Sequence, residues 1–458
     1  MSAMATTPLA PVREATSREA IAERLREVCG QVLDLCRRAG ADAAQVGAHS
    51  SDGLQVGVRL GEVETLIRRR DRDLSVTVYI DGRKGEAGTG DLGADSLRTT
   101  VEKACAIARR TGRDPCNGLA DPARHPHAFA DLDLWHPWDL SPQQAIAIAR
   151  EAEAAGRRRD ARIANSVGAE VESTARVSVL ANSNGFAGTQ GRTRHELSAA
   201  FVASDAAGMQ RGHWYDVACA AGDLEDAAAI GRRAADQALQ RLGARRPRTT
   251  RCPVLLVPEV AAGLVQNFLS AIRGAALYRR ASFLDGAVGR QLFPSFVDID
   301  ERSRLPRGLA SRDYDADGVA APDAPLVRAG VLERYLLDAY SARRLGLETT
   351  GNAGGTGNVL VAPGADDFAA LLRRMHRGLV VCGVMGQGVS LVTGDYSRGA
   401  WGFWVEDGAI AHPVEEITIA SNLKDMFAGI VAVGGDVDRR SANLTGSLLI
   451  EQMTMAGA

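Results

Sequence analysis

The chain has 458 residues, 45% of them hydrophobic and 24% charged. That composition excludes a disordered, collagen-like or disulfide-scaffold protein, and the length exceeds what a single core of roughly 250–300 residues sustains, so two domains are expected. With 54 basic and 56 acidic residues the net charge is −2, which gives no global field to attract nucleic acid or an anionic membrane.

Residues 1–15 are small, polar and Pro-containing, and read as a disordered tail without the apolar core of a signal peptide. A first helix is predicted to open with Thr16 as N-cap and Glu19 closing a capping box. Ile21, Leu25, Val28, Val32 and Leu35 then recur every three or four residues, and Gly40 ends the helix. From Leu74 to Ile80 apolar residues alternate strictly, which predicts a strand turning at Asp81-Gly82. The basic run 68–72 ahead of it reads as a solvated loop or strand edge, since no Gly-rich loop or aromatic accompanies it.

A second helix is predicted over 96–110. A third starts at Ser141, with Pro142 in its first turn and Gln144 closing the box, and runs to about Ala155. Strands are predicted over 175–182 and 195–204, joined through Asn182–Gly185, followed by a helix capped by Asp223 and ending at Leu242. The polar, basic, Pro-interrupted stretch 243–251 marks the boundary, giving domains over 16–245 and 246–458. Hairpin signals at Ala329-Gly330 and Asp407-Gly408 make the second half β-rich. The expected fold class is α+β: an N-terminal α/β domain of sheet and helices, then a C-terminal β-rich domain.

The chemistry-bearing residues are dispersed. Seven Cys without a CxxC pair fit a reducing, cytoplasmic setting and argue against a zinc ribbon. The most apolar stretch, 378–392, is too short and too broken by glycine to span a bilayer. Asp313, Asp315, Asp317 and Gly318 match the start of a calcium loop, but Ala324 holds the position of the bidentate Glu, so an acidic turn is expected. His195-Glu196 lacks the second histidine of an HExxH helix and lies in a strand pattern. The segment 135–138 reads as a loop packed by Trp135 and Trp138, and the glycine-rich segment 351–357 reads as a tight turn or a wall against a peptide.

The most informative segment begins at Pro258. The apolar strand Val254–Val257 feeds a helix with Pro258 and Glu259 in its first turn, and Val260, Leu264, Phe268 and Ile272 form its buried stripe.

From about Gly53 onward the chain resembles the TldD/TldE (PmbA) metallopeptidase family, in its TldE/PmbA branch. The resemblance is carried by Met385–Gly388, Leu391–Gly399, Phe403–Glu406, Glu416–Ala420 and Asn422–Met426. Tyr278-Arg279, Ser341–Arg343, Leu345–Leu347 and Asp114–Cys116 support it. In this family the TldD-type subunit carries HExxxH: two His and a Cys near the C-terminus bind zinc, and the Glu activates water. The corresponding positions here are Pro258, Glu259, Gly263 and Thr445, so only the Glu remains and no metal is expected in this chain. Asn352 also departs from a pattern that often has His there. The resemblance implies a heterodimer with a TldD-type zinc subunit, acting on extended or unfolded peptides, including ribosomally made precursors. Gly386, Gln387, Gly388 and the run Thr393, Gly394, Asp395, Tyr396, Ser397 and Arg398 are candidates for lining the substrate cavity or the subunit interface. The alternatives are an autonomous hydrolase using Glu259 with unidentified ligands, and a non-enzymatic peptide-binding scaffold.

Overall fold

The computed structural model describes residues 17–206 and 208–457. The tail over 1–15 and the expected cap Thr16 lie outside the described residues. The first helix, α1 (Arg18–Arg38), is capped by Ser17, one residue after the expected cap, with its side chain accepting from the Ala20 amide.

The first half is built on one antiparallel sheet of very long strands: β1 (Ala43–Arg59), β2 (Glu62–Ile80), β3 (Arg83–Thr89), β4 (Ile163–Asn182), β5 (Ala187–Asp205) and β6 (Gly208–Ala218). Their order is β3-β2-β1-β4-β5-β6. Period-two alternation decides its faces. On β1 the even positions Ala44, Val46, Ala48, Leu54, Val56 and Val58 are buried. Two helix pairs cover that one face. Near one end, α1 and α2 (Ala94–Arg110) bury Leu25, Val32, Leu97 and Val101 against Val46 and Val76. Near the other, α3 (Pro142–Arg157) and α4 (Ala227–Gln240) meet Val56, Val171 and Phe201. The alanine-rich character of α3 and α4 has a packing reason: a Cβ on Gly231 would lie 1.9 Å from the Ala152 carbonyl, so the two backbones approach closely.

The opposite face is polar. β2 extends back to Glu62 and absorbs the run 68–72 as exposed strand, where Arg70 pairs with Asp52 at 2.6 Å. That resolves the loop-or-edge expectation as strand. The segments expected over 175–182 and 195–204 are likewise parts of strands about twice as long. Ser141 and Gln144 form the expected reciprocal cap. Asp223 does not cap α4. Asp226 does, accepting from the Ala229 amide, and Asp223 pairs with Arg307 at 2.9 Å. The two acids stand three residues apart, and either could serve as a cap by sequence alone.

The second half holds two sheets. One joins β7 (Thr250–Leu256), β12 (Gly378–Met385), β13 (Asp395–Glu406), β14 (Ala409–Asn422), β15 (Ile430–Val433) and β17 (Leu448–Ala456) in the order β14-β13-β12-β7-β17-β15. Because β14 also pairs with β17 through Thr418 and Ala456, five of these strands close a ring. The other sheet is small, with β8 (Ile299–Arg302), β9 (Asp323–Arg328), β10 (Val331–Leu332), β11 (Asn358–Val361) and β16 (Asn443–Leu444). Between them lies α5 (Pro258–Ala271), whose Val260, Leu264 and Phe268 enter the largest core. Short helices complete this half: α6 (Gly274–Tyr278), α7 (Ala339–Leu345), α8 (Phe368–Met375) and α9 (Leu423–Ala428). The expected hairpin turns at 329–330 and 407–408 are present with positive φ. The fold is α+β. Among the described residues, no helix is long and apolar enough to cross a membrane.

Candidate functional site

β7 runs straight into α5, and Val257 holds extended backbone before Pro258 takes the first helical position. The helix buries the stripe through Val260, Leu264 and Phe268, which leaves Glu259, Gly263 and Gln266 on the other face at i, i+4 and i+7. The late segment 438–446 lies along that face. Asn443 donates to Gln266 Oε1 at 3.1 Å and to the Ala262 carbonyl at 3.4 Å. Thr445 is fully buried, and its hydroxyl donates to the Gly446 carbonyl at 2.9 Å. The fold therefore gathers the helix start and the Thr445 segment, although they are far apart in sequence.

What meets Glu259 there is a guanidinium. Arg440 donates from Nη2 to the Glu259 carboxylate. It also holds Asp438 through Nε at 2.9 Å and Nη2 at 3.0 Å, and donates from Nη1 to the Tyr215 carbonyl at 3.1 Å. Its flat face lies 4.1 Å from the Trp214 ring centroid and 4.9 Å from that of Tyr215. Burial works against this charge, but Asp438 and Glu259 outweigh it and hold the guanidinium more firmly protonated than usual. Cys382, on β12 beside the helix start, has its thiol pushed up to about 12, by burial first and by the charge of Glu259 second. A thiol so raised is neither a ready nucleophile nor a ready metal ligand.

The residues present do not suit a catalytic zinc. Proline and glycine offer no side-chain donor, a buried threonine hydroxyl is a poor one, and the one carboxylate is already engaged by an internal cation. Among the described residues, no group of three His, Cys, Asp or Glu is arranged to hold a metal ion.

The other singled-out residues fall into place around this centre. Gly386, Gln387 and Gly388 are exposed in the turn between β12 and β13. That turn is closed by its own contacts: the Ser397 amide donates to the Gly388 carbonyl at 2.6 Å, Thr393 Oγ1 donates to Asp395 at 2.6 Å, and Arg398 Nε donates to the Met385 carbonyl at 3.3 Å. Gly394 is buried against Asn422, and Tyr396 is buried in the core. Cys382 links the turn to the centre, three residues before Met385 on the same strand.

His195 is a structural strand residue. Its Nδ1 meets Ser173 Oγ at 3.0 Å, its Nε2 meets the His136 carbonyl at 2.9 Å, and burial lowers its pKa. Trp135 and Trp138 pack against separate cores of the first half. Asp315 accepts backbone N–H groups of Asp317, Val319 and Ala353 at 2.8–2.9 Å, so the acidic turn is a hub of loop contacts. Asn352, in the glycine-rich turn, donates to both oxygens of buried Glu301 at 2.9 Å.

Three further motifs from the sequence meet at one joint between the halves. Arg343 donates to the carbonyls of Cys116 at 2.9 Å, Gly118 at 3.1 Å and Leu119. Tyr340 donates to Asp114 at 2.8 Å, and its ring meets Tyr278 edge-on at 5.8 Å. Sequence reasoning missed Arg440, Asp438, Trp214 and Tyr215. Arg440 follows Arg439 and lies two residues after Asp438, and such a short mixed-charge run is ordinary on any surface.

Residues 44–108, 135–242 and 249–457 match, in turn, the PmbA/TldA metallopeptidase domain 1, central domain and C-terminal domain. The metalloprotease PmbA of Escherichia coli O157:H7 is 42% identical over 439 residues, covering 96% of this chain and 97% of that protein. A PmbA homologue of Haemophilus influenzae is 39% identical, covering 95% and 96%. Among solved structures, a candidate modulator of DNA gyrase from Bacteroides thetaiotaomicron superposes with TM-score 0.91 at 25% identity, covering 96% of this chain and 100% of that one. The fold is also that of TldE from Thermococcus kodakarensis, with TM-score 0.82 at 19% identity, covering 94% and 100%.

Proposed function

The chain belongs to the PmbA/TldD metallopeptidase family, and on that premise we propose that it is the zinc-free, TldE/PmbA-type subunit of a two-chain peptidase. In this reading a TldD-type partner holds the zinc and the water-activating Glu. The present chain completes the chamber in which extended or unfolded peptides, including ribosomally made precursors, are cut in the cytoplasm. One observation carries it: the face of α5 that would present metal donors shows Pro258 and Gly263, and its Glu259 is bound by Arg440.

A polar sheet face supports the substrate side of the reading. An open depression of about 220 Å³ lies on it, where apolar Leu54 and Ile67 sit among polar groups such as Gln55, Arg69, Glu172 and Thr174. An extended peptide is held chiefly through its main chain, and hydroxyl, amide and charged groups beside a small apolar floor can serve it with little sequence preference.

The test is co-expression with an HExxxH-bearing relative, followed by zinc analysis and peptide hydrolysis for each chain alone and for the mixture. Co-purification, zinc in the partner only and hydrolysis by the mixture are expected. Turnover with stoichiometric zinc in this chain alone would instead establish an autonomous hydrolase. Peptide binding without any hydrolysis in the mixture would leave a scaffold.

A further inference from the structure

We propose that Arg440 is a built-in cation that closes the degenerate metal position and clamps the two halves of the chain together there. The inference does not depend on the two-chain reading, because it concerns bonds within this chain. A guanidinium is planar and permanently charged, and it carries five donors in a fixed fork. Here that fork reaches three elements at once. It holds Glu259 at the start of α5, Asp438 in the segment leading to β16, and the Tyr215 carbonyl on β6, the edge strand of the first sheet.

The stacking adds a fourth hold. Arg440 covers Trp214, whose ring also lies 5.3 Å from the Arg233 guanidinium carbon of α4. Its side chain is about nine-tenths buried and that of Asp438 equally so, with relative exposures of 11% and 10%. A buried charge of this kind persists only when its partners are in place, and each charge-assisted bond is stronger than a neutral one. An exchangeable metal would bind Glu259 reversibly, whereas Arg440 binds it within the folded chain. Two consequences follow: Glu259 Oε1 is already engaged by an internal cation, which leaves the carboxylate less free to bind a metal or activate water, and edge strand β6 is tied to α5.

Hydrogen exchange of the full-length chain, read by mass spectrometry, tests this. In Arg440→Met, exchange should accelerate by about tenfold or more both over 208–218 and over 257–263, while α1 and α2 stay at the wild-type rate. Arg440→Lys keeps the charge but loses the fork and the stacking face, so it should fall between the two. If Arg440→Met does not fold, Glu259→Gln reads the same clamp from its other side, with faster exchange over 257–263. Zinc chloride added to the wild-type chain should leave both segments and the bound metal content unchanged. Unchanged exchange over 208–218 in Arg440→Met, a lysine variant equal to wild type, or zinc uptake that protects 257–263 would each overturn the proposal.

Discussion

Arg334 donates to the carboxylate of Glu301 at 2.7 Å, and that carboxylate is wholly buried. Glu301 also accepts from Asn352 and, at 2.7 Å, from the Gly357 amide, so one acid ties β8, the segment 334–337 and the glycine-rich turn together. Removing the cation alone leaves a buried, uncompensated charge. Arg334→Met should therefore cost about 3–5 kcal/mol, and Arg334→Met with Glu301→Gln should recover part of the loss. Denaturant unfolding of the three chains measures it. A single variant as stable as wild type would mean that the pair does not hold the turn.

Asp315 gives a pH dependence with a definite sign. Burial, and then the neighbouring Asp317, push its carboxyl from 3.8 to about 7, against the opposing pull of three backbone N–H groups. The folded-state value lies above the unfolded one, so the contribution to stability is complete below about pH 4 and is lost as pH rises through about 7. In Asp315→Asn that decline between about pH 4 and 7 should flatten, at the cost of the bond to the Ala353 amide. Melting temperature against pH reads it, and an identical slope in both chains would remove Asp315 as the cause.

Arg343 satisfies three carbonyls of the loop 116–119 from the other half of the chain. Arg343→Ala should destabilise by about 2–3 kcal/mol and raise amide exchange over 111–121 well before global unfolding. Exchange confined to the global rate in that loop would contradict a local joint.

The turn after β12 separates architecture from recognition. A Cβ on Gly388 would lie 1.8 Å from the Ser397 carbonyl, so Gly388→Ala should lower the melting temperature and disturb the hairpin. Gln387 is exposed, and Gln387→Ala should leave stability unchanged within about 0.5 kcal/mol. If this turn lines the chamber or the subunit contact, Gln387→Ala and Arg398→Ala will weaken partner binding or hydrolysis by the mixture. Full binding and activity in both variants would reduce the segment to a turn.

Metal removal offers the simplest check on the zinc-free assignment. A ligand that binds only the folded state raises stability by mass action, so stripping a structural zinc lowers the melting point. EDTA should leave the melting temperature of the isolated chain unchanged, and a clear drop would require a metal in this chain.

Much of the local structure was legible in the sequence because its causes are local. Ser141, Pro142 and Gln144 specify a helix start by capping bonds within one turn, and Asp81-Gly82 and Asp407-Gly408 specify turns by their tolerance of positive φ. The strict alternation over 74–80 fixed which side of β2 faces the helices. The lengths of β2, β4 and β5 were not legible. Their outer parts alternate weakly, and pairing with neighbours, itself a tertiary event, carries them as strand well past the apolar stretch: β2 and β4 along β1, and β5 between β4 and β6. The choice between Asp223 and Asp226 as the α4 cap was likewise settled by Arg307, which lies 84 residues beyond Asp223.

For the site, the sequence by itself determined an absence. Proline and glycine at 258 and 263 cannot donate to a metal in any fold, because that deficiency resides in the side chains themselves. What occupies the position instead was decided only by tertiary structure. Arg440 is separated from Glu259 by 181 residues and from Tyr215 by 225, and no periodicity or spacing links them. Packing the α5 core, closing the strand ring and docking β6 bring these groups within hydrogen-bond distance. A salt bridge acts over a few ångströms, so its partners are identified by the folded path of the chain and not by their order along it.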